Sequence, residues 1–274
     1  MTVTEVCSFL KKRTKKLLSI ALGAVPVAVL TAPPGCANPQ IPILVYHRFD
    51  AVKPGPTTMM TSVFEQQLDW LATHHYQITP LRTVVDSLRG NAPPIAGQPV
   101  AITADDGHVS VYTNLYPIIR RRHIPVTLFI YPSAISNASY ALTWDQLAEM
   151  LKSGLVDVQS HTYWHPNFRQ ERAHRTADDY RRFVDIQLQR SKDVVQRRLG
   201  VSIDMLAWPY GIVDTTLEEA ATRAGYKYAY AFAGGWAHEG MDPLAIPRIP
   251  VSGFAGIAAF PALFPFATAR KSGS

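Results

Sequence analysis

Seven short, mostly apolar runs separated by stretches of helical character set the strongest constraint on how this 274-residue chain folds. The runs are 41–46, 100–103, 126–130, 156–159, 205–208, 226–232 and 245–251. Near-continuous apolar strands are what a parallel sheet needs when both of its faces are covered. Their alternation with helices reads as a series of βα units. Glycine stands just past each expected helix end, at Gly90, Gly154, Gly200 and Gly225, where a left-handed residue stops a helix. The longest helix is expected from Ala177 to Leu199, with Phe183, Ile186, Val194 and Val195 as its apolar stripe. The fold class is α/β, and the order of elements suits an irregular (β/α) barrel with fewer repeats than the eightfold form.

The first forty positions have a different character. Lys11, Lys12, Arg13, Lys15 and Lys16 precede an uncharged run from Leu17 to Leu30, followed by small and proline-rich residues through Ala37. That order is the order of an export signal. Residues 1–37 are read as a signal peptide or a membrane or lipid anchor, and 38–274 as one catalytic domain. The uncharged stretch continues to Cys36 and is close to the ~20 residues that span a bilayer, so a retained anchor stays open. Cys36, after Gly35, also leaves open a lipidated cysteine, although Pro33 is out of place for that. The formal charge of +6 is concentrated here: five basic residues and Glu5 fall in the first forty positions, and the remainder carries +2. No block of like charge argues for nucleic acid. Both cysteines, Cys7 and Cys36, lie in or beside this segment, so the domain expects no disulfide.

The polar motifs fall at strand ends, which in a parallel barrel share one rim. Thr103-Ala104-Asp105-Asp106-Gly107 closes the run at 100–103. Adjacent carboxylates there are costly to bury unless a cation or a proton is shared between them. His161 and His165 follow the run at 156–159, four apart, so that one helical turn would set both imidazoles on one side. Together with a carboxylate they make a three-ligand set of the kind that leaves positions open for water and substrate. Trp208-Pro209-Tyr210-Gly211 ends a third run, and its tight turn frees the Tyr210 N–H to point into a pocket.

With these residues in view, the chain from about Ile41 to Val251 resembles the polysaccharide deacetylases of the NodB-homology group. The resemblance implies an irregular deacetylase-type barrel, a divalent metal, best met by zinc, and an N-acetylglucosamine-containing polysaccharide as substrate. It makes Asp105 the general base and Asp106, His161 and His165 the metal ligands. Two positions depart from the family pattern: Ala104 replaces an aromatic residue, and Ala207 stands where the family has the arginine that orients the base. Arg248 is the candidate to supply that arginine. With Trp208 and Tyr210 it is counted on the substrate and oxyanion side of the site. No late histidine-bearing strand follows; instead Ile43-Leu44-Val45-Tyr46-His47 opens the domain. That order resembles the circularly permuted subgroup that deacetylates poly-β-1,6-N-acetylglucosamine, and it makes His47 the catalytic acid. Peptidoglycan, chitin or another acetylated glycan as substrate, and a sugar-binding relative without turnover, are the alternatives. Trp144 is expected in the core, Trp164 and Trp236 either there or against sugar rings, and His108, beside the carboxylate pair, in a solvated loop, with contact to substrate as the alternative.

Overall fold

The computed structural model describes residues 40–232 and 234–264. The export segment, Cys7 and Cys36 lie outside the described residues. Among the described residues no helix is long and apolar enough to cross a membrane.

The strands are β1 (Gln40–Ile41), β2 (Ile43–Tyr46), β3 (Arg48–Asp50), β4 (Thr58–Met60), β5 (Tyr76–Ile78), β6 (Gln98–Asp106), β7 (Val126–Ile130), β8 (Val156–Ser160), β9 (Met205–Ala207), β10 (Tyr228–Ala231), β11 (Ala237–His238), β12 (Ile246–Pro247) and β13 (Ile249–Pro250). The helices are α1 (Thr61–Thr73), α2 (Leu81–Leu88), α3 (Tyr116–Arg122), α4 (Trp144–Lys152), α5 (Phe168–Ala173), α6 (Ala177–Leu199) and α7 (Thr215–Arg223). All seven expected strands are present, with ends moved by a few residues. The two- and three-residue strands β1, β3, β4, β5 and β11 are too short to leave a sequence period of their own.

The main sheet runs β12-β10-β9-β8-β7-β6-β2-β13, and every pairing along it is parallel. Its two ends belong to one segment. Residues 246–247 pair with β10 while 249–250 pair with β2, so the expected strand at 245–251 divides at Arg248 and closes the sheet into a barrel. The Arg248 N–H still donates to the Ala231 carbonyl (3.0 Å), and Val251 N–H donates to the Val45 carbonyl (3.0 Å). The result is an irregular (β/α) barrel of the deacetylase type.

Side chains alternate along each strand, and the barrel separates the two sets. Val100, Ile102 and Ala104 of β6 face the helix layer, packed with Leu147 and Met150 of α4, Val184 and Leu188 of α6 and Leu217 of α7. Ala101 of β6 turns inward with Phe129, Met205, Ala207, Tyr230 and Ile246. Thr103 and Asp105 share the parity of Ala101, and His47 that of Ile43. Helix α6 has the expected bounds: the Thr176 side chain accepts from Asp179 N–H at its start, and Gly200 ends it at φ 69°. Its buried stripe, however, is Tyr180, Val184, Leu188 and Val195, while Ile186 is exposed. The stripe is set by the face that meets the barrel, one that local hydrophobicity placed a residue or two away.

Candidate active site

Asp105 is the last inward-facing residue of β6 and is fully buried. A buried carboxylate requires a partner, and Arg248, also fully buried, supplies it in a fork: Nη1 donates to Oδ1 at 2.8 Å and Nη2 to Oδ2 at 2.7 Å. Nη1 also donates to Thr103 Oγ1 (3.1 Å), whose hydroxyl donates to the Leu44 carbonyl (2.9 Å). Arg248 Nε has no hydrogen-bond partner among the described residues. The guanidinium lies 5.1, 5.8 and 5.5 Å from the ring centres of Phe129, Tyr230 and Phe232, and these ring faces offset part of that cost. Burial pushes the Asp105 carboxyl up, but Arg248, His161 and His47 together outweigh it and hold the group down to about 2. Asp105 is thus an oriented, ionised carboxylate throughout the neutral range.

The next residue faces the opposite way along an ordinary strand. Here Asp106 takes φ 74° and Gly107 φ 73°, and this pair of left-handed residues turns the chain at the rim. A side chain at 107 would press on Ile130 Cγ2 and Ile135 Cδ1, at 3.0 and 3.1 Å from a Cβ, so the position takes glycine.

His161 and His165 follow β8, but no helical turn links them. The segment is a tight loop with Thr162 at φ 65° and His165 at φ 63°. It is anchored by His161 N–H to the Ile130 carbonyl (2.8 Å), His165 N–H to Thr162 Oγ1 (3.2 Å) and Trp164 N–H to Gln187 Oε1 (3.1 Å). The expected helix is replaced because these loop bonds satisfy the backbone while bringing the rings together, 4.6 Å apart at 70°. The Nδ1 of His161 lies 2.7 Å from the Ala207 carbonyl, which can only accept, so its proton sits there and Nε2 presents a lone pair to the site. That Nε2 is 3.7 Å from Asp106 Oδ1, and His165 Nε2 is 3.6 Å from the same oxygen. Burial pushes both imidazoles down, His165 to about 4, so both stay neutral and ready to ligate.

The ligand atoms of Asp106, His161 and His165 lie within 4.8 Å of one another. One carboxylate oxygen and two neutral imidazole nitrogens make a donor set that fits a divalent transition metal, and the carbonyl bond to His161 is the outer-shell contact such ligands use.

His47 is half-buried at the end of β2, one residue past the pairing of Tyr46 with Ala104, and its charge bears on Asp105. Tyr210, 58% exposed, adopts φ 57° in the turn after β9, and its ring lies 4.8 Å from that of His165. Its amide takes no partner among the described residues. Gly211, at φ 67°, lets this turn approach the backbone: a Cβ there would lie 2.6 Å from Phe232 N. Trp208 is not on the substrate side. It is fully buried against Phe168, and its indole N–H donates to the Leu244 carbonyl at 2.8 Å; one residue past β9 it keeps the parity of Leu206 and turns toward the helix layer. Trp164 is exposed, and Trp144 and Trp236 pack against the core. His108 is half-buried and bonded to Ser110 rather than solvated. Sequence reasoning passed over two contributors, Thr103 and the Ala207 carbonyl; the parity of β6 was a signal for the first, and nothing local marks the second.

The sequence profile of the polysaccharide deacetylases matches residues 93–229, half the chain. The chain belongs to the polysaccharide deacetylase family. The matched segment holds Asp105, Asp106, His161, His165 and Tyr210, whereas His47 and Arg248 fall outside it on the strands that close the barrel. The poly-beta-1,6-N-acetyl-D-glucosamine N-deacetylase of Staphylococcus epidermidis is 25% identical over 194 residues, covering 69% of this chain and 66% of that protein. The Escherichia coli K12 protein of the same name is 23% identical over 229 residues, covering 71% of this chain and 34% of that protein. This deacetylase-family chain therefore matches just under two thirds of the first relative and about one third of the second. Among solved structures, IcaB from Ammonifex degensii superposes with a TM-score of 0.72 at 24% identity, covering 83% of this chain and 97% of that one. The Streptococcus pyogenes deacetylase PplD in complex with acetate gives 0.70 at 24% identity, covering 80% and 95%. Both likenesses carry the fold.

Proposed function

We propose that this chain is an exported, metal-dependent N-deacetylase that removes acetyl groups from N-acetylglucosamine units of a surface polysaccharide, with poly-β-1,6-N-acetylglucosamine as the foremost substrate. One observation carries the reading: a three-ligand cluster stands beside a buried carboxylate that a forked arginine holds in place. The names of the relatives support the glycan, and the basic and apolar order of residues 1–37 supports export.

A divalent cation held by Asp106, His161 and His165, zinc being well suited to this donor set, supplies Lewis-acid activation of water and of the acetyl carbonyl. Asp105 accepts the proton of the attacking water, and Arg248 fixes which carboxylate oxygen faces it. The Tyr210 N–H, aimed by the turn at 209–211 before any substrate arrives, donates to the oxygen on which negative charge develops. His47 gives a proton to the departing nitrogen. Hydroxide has then added to the acetyl carbon, the C–N bond has broken, and acetate and a free amino sugar leave.

Acetate release from β-1,6-linked, β-1,4-linked and peptidoglycan-derived N-acetylglucosamine oligomers, together with metal analysis, tests the proposal. It expects one divalent ion per chain and fastest release from the β-1,6 series. Full activity in a metal-free preparation overturns the mechanism, and no release from any of the three overturns the enzyme.

A further inference from the structure

Four side chains outside the proposed chemistry form a continuous wall beside it. The Tyr131 ring is 5.5 Å from that of His165, its hydroxyl is 3.1 Å from that of Tyr140, and the Tyr140 ring lies nearly parallel to that of His108, at 14° and 6.3 Å. The wall thus starts at one metal ligand and ends two residues past another, Asp106. Its fourth member, Ser110, sets the direction of the histidine. The Ser110 N–H donates to His108 Nδ1 (3.1 Å), and Ser110 Oγ, which accepts from the Phe49 N–H (2.9 Å), lies 2.8 Å from the same nitrogen. Because Nδ1 accepts from the Ser110 N–H it carries no proton of its own, so the Ser110 hydroxyl donates to it as well. The ring proton therefore sits on Nε2, the ring nitrogen that faces away from Ser110.

The wall is built rather than incidental. His108 and Ala141 form an antiparallel bridge, Val109 N–H donates to the Tyr140 carbonyl (2.8 Å), and Leu142 N–H donates to the Gly107 carbonyl (2.9 Å). The loop after β7 is thereby fastened to the loop that carries Asp106. Its backbone is fixed on both sides of Tyr140, yet the residue is 45% exposed. An aromatic ring held rigidly but left uncovered adds little to the core, and its amphipathic face matches a ligand with an apolar face and polar edges. Among the described residues the other exposed large apolar side chains have a similar bias: Trp164, Tyr210 and Phe254 lie on loops that follow barrel strands, while Val52, after the short strand β3, and Ile186 do not.

We propose that Tyr131, Tyr140 and His108 form a subsite for a sugar unit neighbouring the one that loses its acetyl group. Tyr140 packs on the apolar face of the pyranose, and His108 Nε2–H donates to one of its ring or hydroxyl oxygens. The proposal rests on the deacetylase reading, and it makes this chain a reader of polymer rather than of single sugars. His108 and Tyr140 act in binding and positioning; neither exchanges a proton with the reacting atoms.

The test uses the full chain loaded with zinc and a β-1,6-linked N-acetylglucosamine hexamer. Binding is read by calorimetry in an Asp105→Asn background, where the ligand is not consumed, and kcat and KM are read in the native background. Tyr140→Ala is expected to weaken hexamer binding about three- to tenfold, the effect of one aromatic stacking contact, and to act mainly through KM. Tyr140→Trp should restore binding, and His108→Leu should weaken it by a similar factor. Thermal melts identify a variant that fails to fold, and His108→Ala, which also removes the donor, then takes the place of the leucine variant. Hexamer affinity and KM unchanged in Tyr140→Ala and His108→Leu, while the native chain releases acetate, overturn the subsite alone. A native chain that neither binds nor deacetylates the hexamer overturns the β-1,6-linked substrate assignment, and the subsite with it.

Discussion

Arg248→Met is the substitution that most directly probes the link between barrel closure and chemistry. Both members of the Arg248–Asp105 pair are fully buried, so removing the arginine leaves a carboxylate with no compensating charge, a change that typically costs about 3–5 kcal/mol. The carboxyl can escape by taking up a proton, which sets a ceiling. Each pH unit above the ordinary carboxyl value of 3.8 contributes about 1.4 kcal/mol, so the ceiling is about 4 kcal/mol at pH 7 and about 1.6 at pH 5. The sign with pH then reverses between the two proteins. In the native chain the Asp105 value is depressed to about 2, so its contribution is fully present above about pH 4 and is lost as pH falls through 2. In Arg248→Met burial acts unopposed by the guanidinium and the value rises above that of the unfolded chain, so stability increases as pH falls from 7 toward 5. Urea unfolding in the presence of a chelator, at four pH values from 5 to 8, measures both curves. Arg248→Lys should recover little, because a single ammonium cannot make the fork. Arg248→Met with Asp105→Asn should recover much of the loss, because no buried charge remains. A loss below about 1 kcal/mol at pH 7, or one that does not change between pH 5 and 8, refutes the argument.

Metal occupancy, measured by equilibrium dialysis with zinc, should stay level from pH 8 to about 5 and fall below that, because burial keeps His165 neutral down to about 4; a fall centred on pH 6.5 contradicts the burial argument. His161→Ala and His165→Ala should each lose metal and acetate release together. Asp105→Asn should keep its metal and lose turnover, whereas His47→Ala should keep its metal and lose a ~10²–10⁴-fold general-acid contribution; native rates in His47→Ala remove His47 from the mechanism. Gly211→Ala should lower stability by at least ~1–2 kcal/mol, from its left-handed φ and the 2.6 Å approach to Phe232 N, and should cut kcat by displacing the Tyr210 amide; an unchanged melt shows that the turn has room.

Local sequence was enough for the seven apolar runs that build the barrel, the helix at 177–199 and the clustering of Asp105, Asp106, His161, His165 and Tyr210 at one end of the sheet. Apolar runs and glycine stops act over a few residues, and a parallel barrel delivers every strand end to the same rim. Alternation along a strand also fixes which residues share a face, and that is why Thr103 and Asp105 point together. It does not say what lies across the barrel. Arg248 reaches Asp105 over 143 positions only because 246–250 pairs with β10 on one side and β2 on the other, which turns its middle residue into the closed interior. The departure at Ala207 is answered in the same way: its side chain stays in the inner cluster, its carbonyl holds His161, and the positive charge arrives from the closing strand. Trp208 shows the reverse, a motif residue whose parity sends it to the helix layer. Spacing alone suggested a helix between His161 and His165, whereas left-handed residues and bonds to β7 and α6 bring the rings together in a loop. Sequence periodicity reports the face on which a residue lies, but the residue that meets it across the core depends on strand register and closure, and those exist only once the distant segments have paired.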